Sequence, residues 1–196
     1  MHKIFPAFIL LSFIALSSCS SDGEIKTVSE NAPDSTIFFP VTDFLLGQLN
    51  ETEMQPVTPL KITTINGSTD SAWLTRDDIR VFAQPFLTPL IDSATMSAYF
   101  SGKSFMDASL NLFTLTYAPG RPLPDSLNLQ RWDVYIDPVH NKVQRIYMVK
   151  EEMISNESRV YQLTWMTDEW CSIRTITTLK DGKATIKEEK LIWDFK

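Results

Sequence analysis

Two stretches near the C-terminus, Cys171-Ser172-Ile173-Arg174-Thr175-Ile176-Thr177-Thr178-Leu179 and Thr185-Ile186-Lys187-Glu188-Glu189-Lys190-Leu191-Ile192-Trp193-Asp194-Phe195, flank the dipeptide Asp181-Gly182. Both flanks are rich in β-branched residues, and Asp-Gly between two such runs is a strong hairpin signal, because its backbone reaches the left-handed conformation that a tight turn demands. Working upstream, the same pattern repeats. Val160–Met166 is a further strand, and Glu151–Glu157 before it reads as a polar loop. Val143–Val149 precedes that loop, behind the turn Asp137-Pro138-Val139-His140-Asn141. In Arg131–Asp137, Trp132, Val134 and Ile136 alternate with Arg131, Asp133, Tyr135 and Asp137, which is the period of a half-buried strand. Leu110–Tyr117 comes first, ahead of a proline-rich loop from Pro119 to Pro124.

Strands in sequence joined by short turns predict an antiparallel meander of about six strands. Before them the period changes. Thr58 to Ile65 reads as a strand ended by the turn Asn66-Gly67. Phe44, Leu45, Leu46 and Leu49 recur at helical spacing, with Thr42 or Asp43 as cap. Thr75 caps a second helix with Asp77 and Asp78 in its first turn, and Ile79, Phe82, Ala83 and Phe86 on one face; Pro85 and Pro89 end or kink it. Residues 92–102 read as a third helix, closed by Gly102. The fold class expected is therefore α+β: twisted strands, free to curl into a half-barrel, packed against short N-terminal helices.

Composition narrows the function classes. The chain has 196 residues, with 24 acidic against 18 basic side chains. An acidic domain without Lys/Arg clusters is a poor nucleic-acid binder. Glycines number only 6, and none form a phosphate-cradling loop. Of the two histidines, only His140 lies outside the first residues, in a turn and without a partner of matching chemistry. That argues against a Ser-His-acid hydrolase and against a zinc site. No catalytic set, metal or cofactor is expected.

The N-terminus has its own reading. Met1-His2-Lys3 is a basic start, Ile4 to Leu16 is an apolar run, and Ser17, Ser18 and Cys19 follow. Such a run is too short to span a bilayer, which takes about 20 residues, and it fits an export signal. Leu16-Ser17-Ser18-Cys19 resembles the lipobox of bacterial lipoproteins. The resemblance implies cleavage by signal peptidase II before Cys19 and lipidation of that residue, with acyl chains holding the protein to a membrane. The aspartate that would mark inner-membrane retention in enterobacterial lipoproteins is replaced here by Ser20, and Ser20-Ser21-Asp22-Gly23-Glu24 is similar to the short acidic signals that send some Gram-negative lipoproteins to the cell exterior, so the outer membrane is the expected location. The periplasmic and surface leaflets both stay open.

Residues 1–18 are thus expected to be removed. Residues 19–36 then form a lipidated tether of about 20–25 Å, and 37–196 a single globular domain. Lipidation uses Cys19, so the other cysteine, Cys171, has no disulfide partner and is expected to be a buried hydrophobe. Five aromatics stand out as either core or binding surface: Trp132, Tyr161, Trp165, Trp170 and Trp193. The expected function is that of a membrane-anchored, non-enzymatic binding or assembly module facing an envelope protein. The alternative is a carrier of an apolar, lipid-like ligand held in a sheet–helix cavity, similar to periplasmic half-barrel lipoproteins that hold acyl chains.

Overall fold

A computed structural model describes residues 38–194 of the chain. The lipobox residues Leu16, Ser17, Ser18 and Cys19, the tether at 20–36, and Phe195 lie outside the described residues. Three helices and nine strands follow one another: α1 Val41–Met54, β1 Leu60–Ile65, β2 Ser68–Trp73, α2 Arg76–Leu87, α3 Ser93–Tyr99, β3 Phe100–Asp107, β4 Leu112–Pro119, β5 Leu129–Asp137, β6 Lys142–Ile154, β7 Glu157–Met166, β8 Trp170–Leu179 and β9 Ala184–Ile192. All strand pairs are antiparallel, in one open sheet of order β2-β1-β9-β8-β7-β6-β5-β4-β3. The α+β class and the antiparallel sheet hold. The sheet has nine strands where about six were expected.

The extra strands have a physical origin. β2, Ser68-Thr69-Asp70-Ser71-Ala72-Trp73, is exposed along its whole length at one edge, so it shows no apolar alternation. β3 forms the opposite edge and is exposed over most of its length. The third helix stops at Tyr99, and Gly102, expected to close it, is a strand residue facing Tyr117. The polar stretch 151–157 is not a loop. β6 runs on to Ile154 and β7 starts at Glu157, paired with it. The first helix begins one residue after Pro40, which places Thr42 and Asp43 inside its first turn rather than at the cap.

Local chemistry sets the other boundaries as read. The Asp78 carboxylate accepts bonds from the Thr75 amide (2.8 Å) and hydroxyl (2.7 Å), tying the start of α2. This helix passes Pro85 and ends at Leu87, before Pro89. Asn66 and Gly67 take positive φ in the β1–β2 turn, and Gly182 does so, at 83°, between β8 and β9.

Register divides the sheet into two faces. On one lie Leu115, Val134, Ile146, Trp165, Cys171 and Leu191, each opposite the next across successive strands. They join Val41, Leu45 and Leu49 of α1, Ile79, Ala83 and Phe86 of α2, and Met96 of α3 in one core. Phe86 meets Trp165 edge-on at 5.4 Å, and Tyr117 stacks on Trp132 at 4.7 Å. The other face carries no helix among the described residues.

Candidate functional site

The uncovered face follows from the same alternation. In each core strand, the residues between the buried positions point away from the helices. One row across the sheet reads Thr116, Asp133, Tyr147, Thr164, Ser172, Lys190. The next reads Thr114, Tyr135, Arg145, Met166, Trp170. Arg131 and Arg174 lie on the same face, in the row with Gln162.

Asp133 anchors this surface. It is buried, at 1% exposure, although no helix covers it. Thr116 donates its hydroxyl proton to Oδ1 at 2.7 Å, and Arg131 Nε donates to Oδ1 and Oδ2 at 3.1 and 2.9 Å. The bond to Asp133 raises the pKa of the half-exposed Arg131 guanidinium. Burial raises the Tyr147 pKa as well; Arg131 and Arg174 pull it down, and Asp133 and Tyr135 push it up, so Tyr147 lies within electrostatic reach of all four. Cations lie on two rings of this face. Arg145 Cζ sits 4.0 Å from the Tyr135 ring centre, and Lys190 Nζ sits 4.0 Å from that of Trp170. The result is a firm, half-exposed surface of tyrosine, tryptophan and arginine.

A second feature lies at the end of the sheet where β6 overhangs. A cleft of about 960 Å³ runs between the β4–β5 loop, Thr88-Pro89 and the tip of β6, with Leu123, Asn128, Glu152 and Ile154 among its lining residues. Glu152 accepts bonds from Asn128 Nδ2 (2.8 Å) and the Tyr161 hydroxyl (3.1 Å). Beside them Lys150 is buried and donates from Nζ to the carbonyls of Pro85 and Thr88. The reason is local. Pro85 lies in the last turn of α2, whose final carbonyls have no intrahelical amide, and Pro89 beyond it has no N–H to offer. Lys150 supplies the missing donor. Burial pushes the Lys150 pKa down to about 8, with Glu152 opposing. The contacts describe a helix stop rather than a catalytic amine.

A second cleft, of about 590 Å³, lies by the β5–β6 turn and includes His140 and Asp168. His140 Nδ1 and Asp137 Oδ2 are 2.6 Å apart, the partner that sequence reading did not find. Asp137 also accepts the amides of Val139 (2.8 Å) and His140 (3.2 Å), so the pair is a turn clasp. The His140 bond, aided by the amides, lowers the Asp137 pKa to about 2. Among the described residues, no group of three His, Cys, Asp or Glu side chains could hold a metal ion.

The five aromatics read from sequence divide. Trp132, Trp165 and Trp193 lie in the helix-covered core, and neither of the two clefts just described is lined by them. Among the described residues their indole nitrogens have no hydrogen-bond partner. Tyr161 is partly buried at the core margin, holding Glu152. Trp170 alone belongs to the uncovered face. Cys171 is fully buried, which raises its thiol pKa well above the usual value. Sequence reading missed Asp133, Tyr147, Arg145 and Lys150 as notable residues. A signal existed for Lys150, which falls in phase with Ile146 and Met148 on the helix-covered side.

Comparison with protein-family models, with curated proteins and with solved structures found no match.

Proposed function

We propose that this protein is exported, anchored through lipid on Cys19, and serves as a non-enzymatic binding or assembly module at the cell envelope. It meets a protein partner through the uncovered face of its sheet. The outer membrane is the proposed location. The observation that carries the reading is the grouping of Tyr135, Tyr147 and Trp170 with Arg131, Arg145 and Arg174 on one half-exposed surface. Tyrosine, tryptophan and arginine are the residue types that dominate binding energy at protein interfaces. The bonds that fix Arg131 and the contacts of Arg145 and Lys190 lower the ordering penalty of association. Twist accumulated over nine strands favours a half-barrel curvature of the same sheet.

Site-specific photocrosslinking in the native membrane tests the partner reading. A photoreactive residue at Tyr147 or Trp170 is expected to give a protein adduct of one discrete mass. The same residue at Val81, exposed on α2, is expected to give none. Equal adducts at all three positions, or none at the sheet positions, would contradict it. The anchor has a separate test. Cys19→Ala is expected to leave the precursor unprocessed by signal peptidase II and to remove lipid labelling; unchanged processing and labelling would refute the lipidation.

A further inference from the structure

The sheet edge formed by β3 has the layout of a self-complementary strand. β3 is last in the sheet, and among the described residues it pairs only with β4. Gly120 donates its amide to the Tyr99 carbonyl at 2.9 Å, while Phe100 stands opposite Pro119. Antiparallel alternation then assigns the β4-directed bonds to Ser101, Lys103, Phe105 and Asp107, and turns the amides and carbonyls of Gly102, Ser104 and Met106 outward. Natural edges are commonly blunted by proline, bulges, shortness or charge, lysine above all. β3 is neither short nor interrupted by proline or a bulge, and its one lysine, Lys103, shares the strand with Asp107. Its eight residues run in unbroken register without proline, with Phe105 48% and Met106 54% exposed.

We propose that β3 pairs with β3 of a second copy of this chain, antiparallel about a two-fold axis at Phe105, to make one continuous sheet across a dimer. In that register Phe105 lies opposite its own copy. Ser104 lies opposite Met106 on each side of the axis, so their outward amides and carbonyls bond one another. Lys103 lies opposite Asp107 on each side. Lys103, Phe105 and Asp107 share one face, so two ion pairs of opposite sign flank the ring contact. The carboxylate is available for this role. Asp107 Oδ1 accepts from the Ser109 amide and hydroxyl and the Leu110 amide (2.9, 2.6 and 3.2 Å), whereas Oδ2 takes none of these bonds. The other edge lacks such complementarity. Asp70 is the only charged residue of β2, so self-pairing there offers it no cation.

Sedimentation equilibrium of the full lipidated chain, in density-matched detergent, tests the proposal. The wild type is expected to be a dimer. Lys103→Glu places like charges opposite each other twice and is expected to raise the dimer dissociation constant about tenfold or more. Ser104→Pro removes an outward amide that the β4 ladder does not use, and is expected to give monomer with an unchanged circular dichroism spectrum. Phe105→Cys is expected to form a disulfide dimer under mild oxidation, whereas Val139→Cys, 82% exposed far along the sequence in the β5–β6 turn, is not. A monomeric wild type would overturn the proposal. So would open-ended chains, Lys103→Glu and Ser104→Pro that dimerise like wild type, or crosslinking at Val139 as fast as at Phe105.

Discussion

Lys150 shows how one residue settles a local conflict. The sequence places Pro85 and Pro89 at the end of a helix that the fold needs as a core element. The end of that helix leaves the Pro85 carbonyl without an intrahelical amide, and a buried ammonium completes the bond. Replacing Lys150 by Met keeps the length and removes the donor. The expected result is destabilisation by about 1–2 kcal/mol near neutral pH, less than the full value of two lost bonds because a buried charge is also removed. A fall in the urea midpoint with unchanged slope would register it. The pH dependence has a definite sign. The Lys150 pKa is lowered from 10.5 in the unfolded chain to about 8 in the fold, so between those values the unfolded state binds more protons. The cost of burying the ammonium is fully present below about pH 8, and stability rises as pH climbs from there toward 10.5. Wild type is expected to gain on Lys150→Met across that window; parallel midpoints would refute the assignment.

Asp137 behaves in the opposite sense. Its pKa falls from 3.8 to about 2, first through the bond to His140. Its contribution is present above pH 3.8 and is lost as pH falls toward 2. His140→Ala is expected to move the Asp137 carboxyl titration back up toward 3.8, as followed by NMR; an unmoved titration would mean that the amides alone hold it.

At the scale of elements, turns were the most legible part of the chain. Asp181-Gly182 and Asn66-Gly67 each sit where a hairpin needs positive φ. At Gly182 a Cβ would meet nothing within 4 Å, so only backbone strain opposes a side chain. Gly182→Ala is expected to lower stability by about 1–2 kcal/mol, read from the urea midpoint, with the fold unchanged. The strands facing the helices were legible because one face is apolar and the other polar. Edge strands broke that rule. β2 is exposed along its length and β3 over most of it, so neither shows the two-residue period. The end of β6, Glu151 to Ile154, is largely exposed, and its polarity read as a loop for the same reason. Helix positions survived because Leu45 and Leu49, or Ile79, Ala83 and Phe86, keep one face buried whatever the flanking cap does.

For the whole molecule, pattern alone indicated which strands carry large apolar side chains, and the core contains Trp132, Trp165 and Trp193. Pattern did not show which residues gather across strands. Asp133, Tyr147, Arg145 and Trp170 come from three strands, β5, β6 and β8, and become neighbours only through register. A lone alternating segment presents each as an ordinary outward residue. The proposed anchor at Cys19 and the proposed interface on the sheet together describe a module that waits at a membrane for a protein partner. Native mass spectrometry of the full chain, solubilised from its own membrane, tests that description most directly. The expected spectrum shows a protein partner of defined mass, lost in Tyr147→Ala and Trp170→Ala variants that still fold. A spectrum showing a stoichiometric lipid-sized ligand instead, unaffected by those substitutions, would contradict it and favour the carrier.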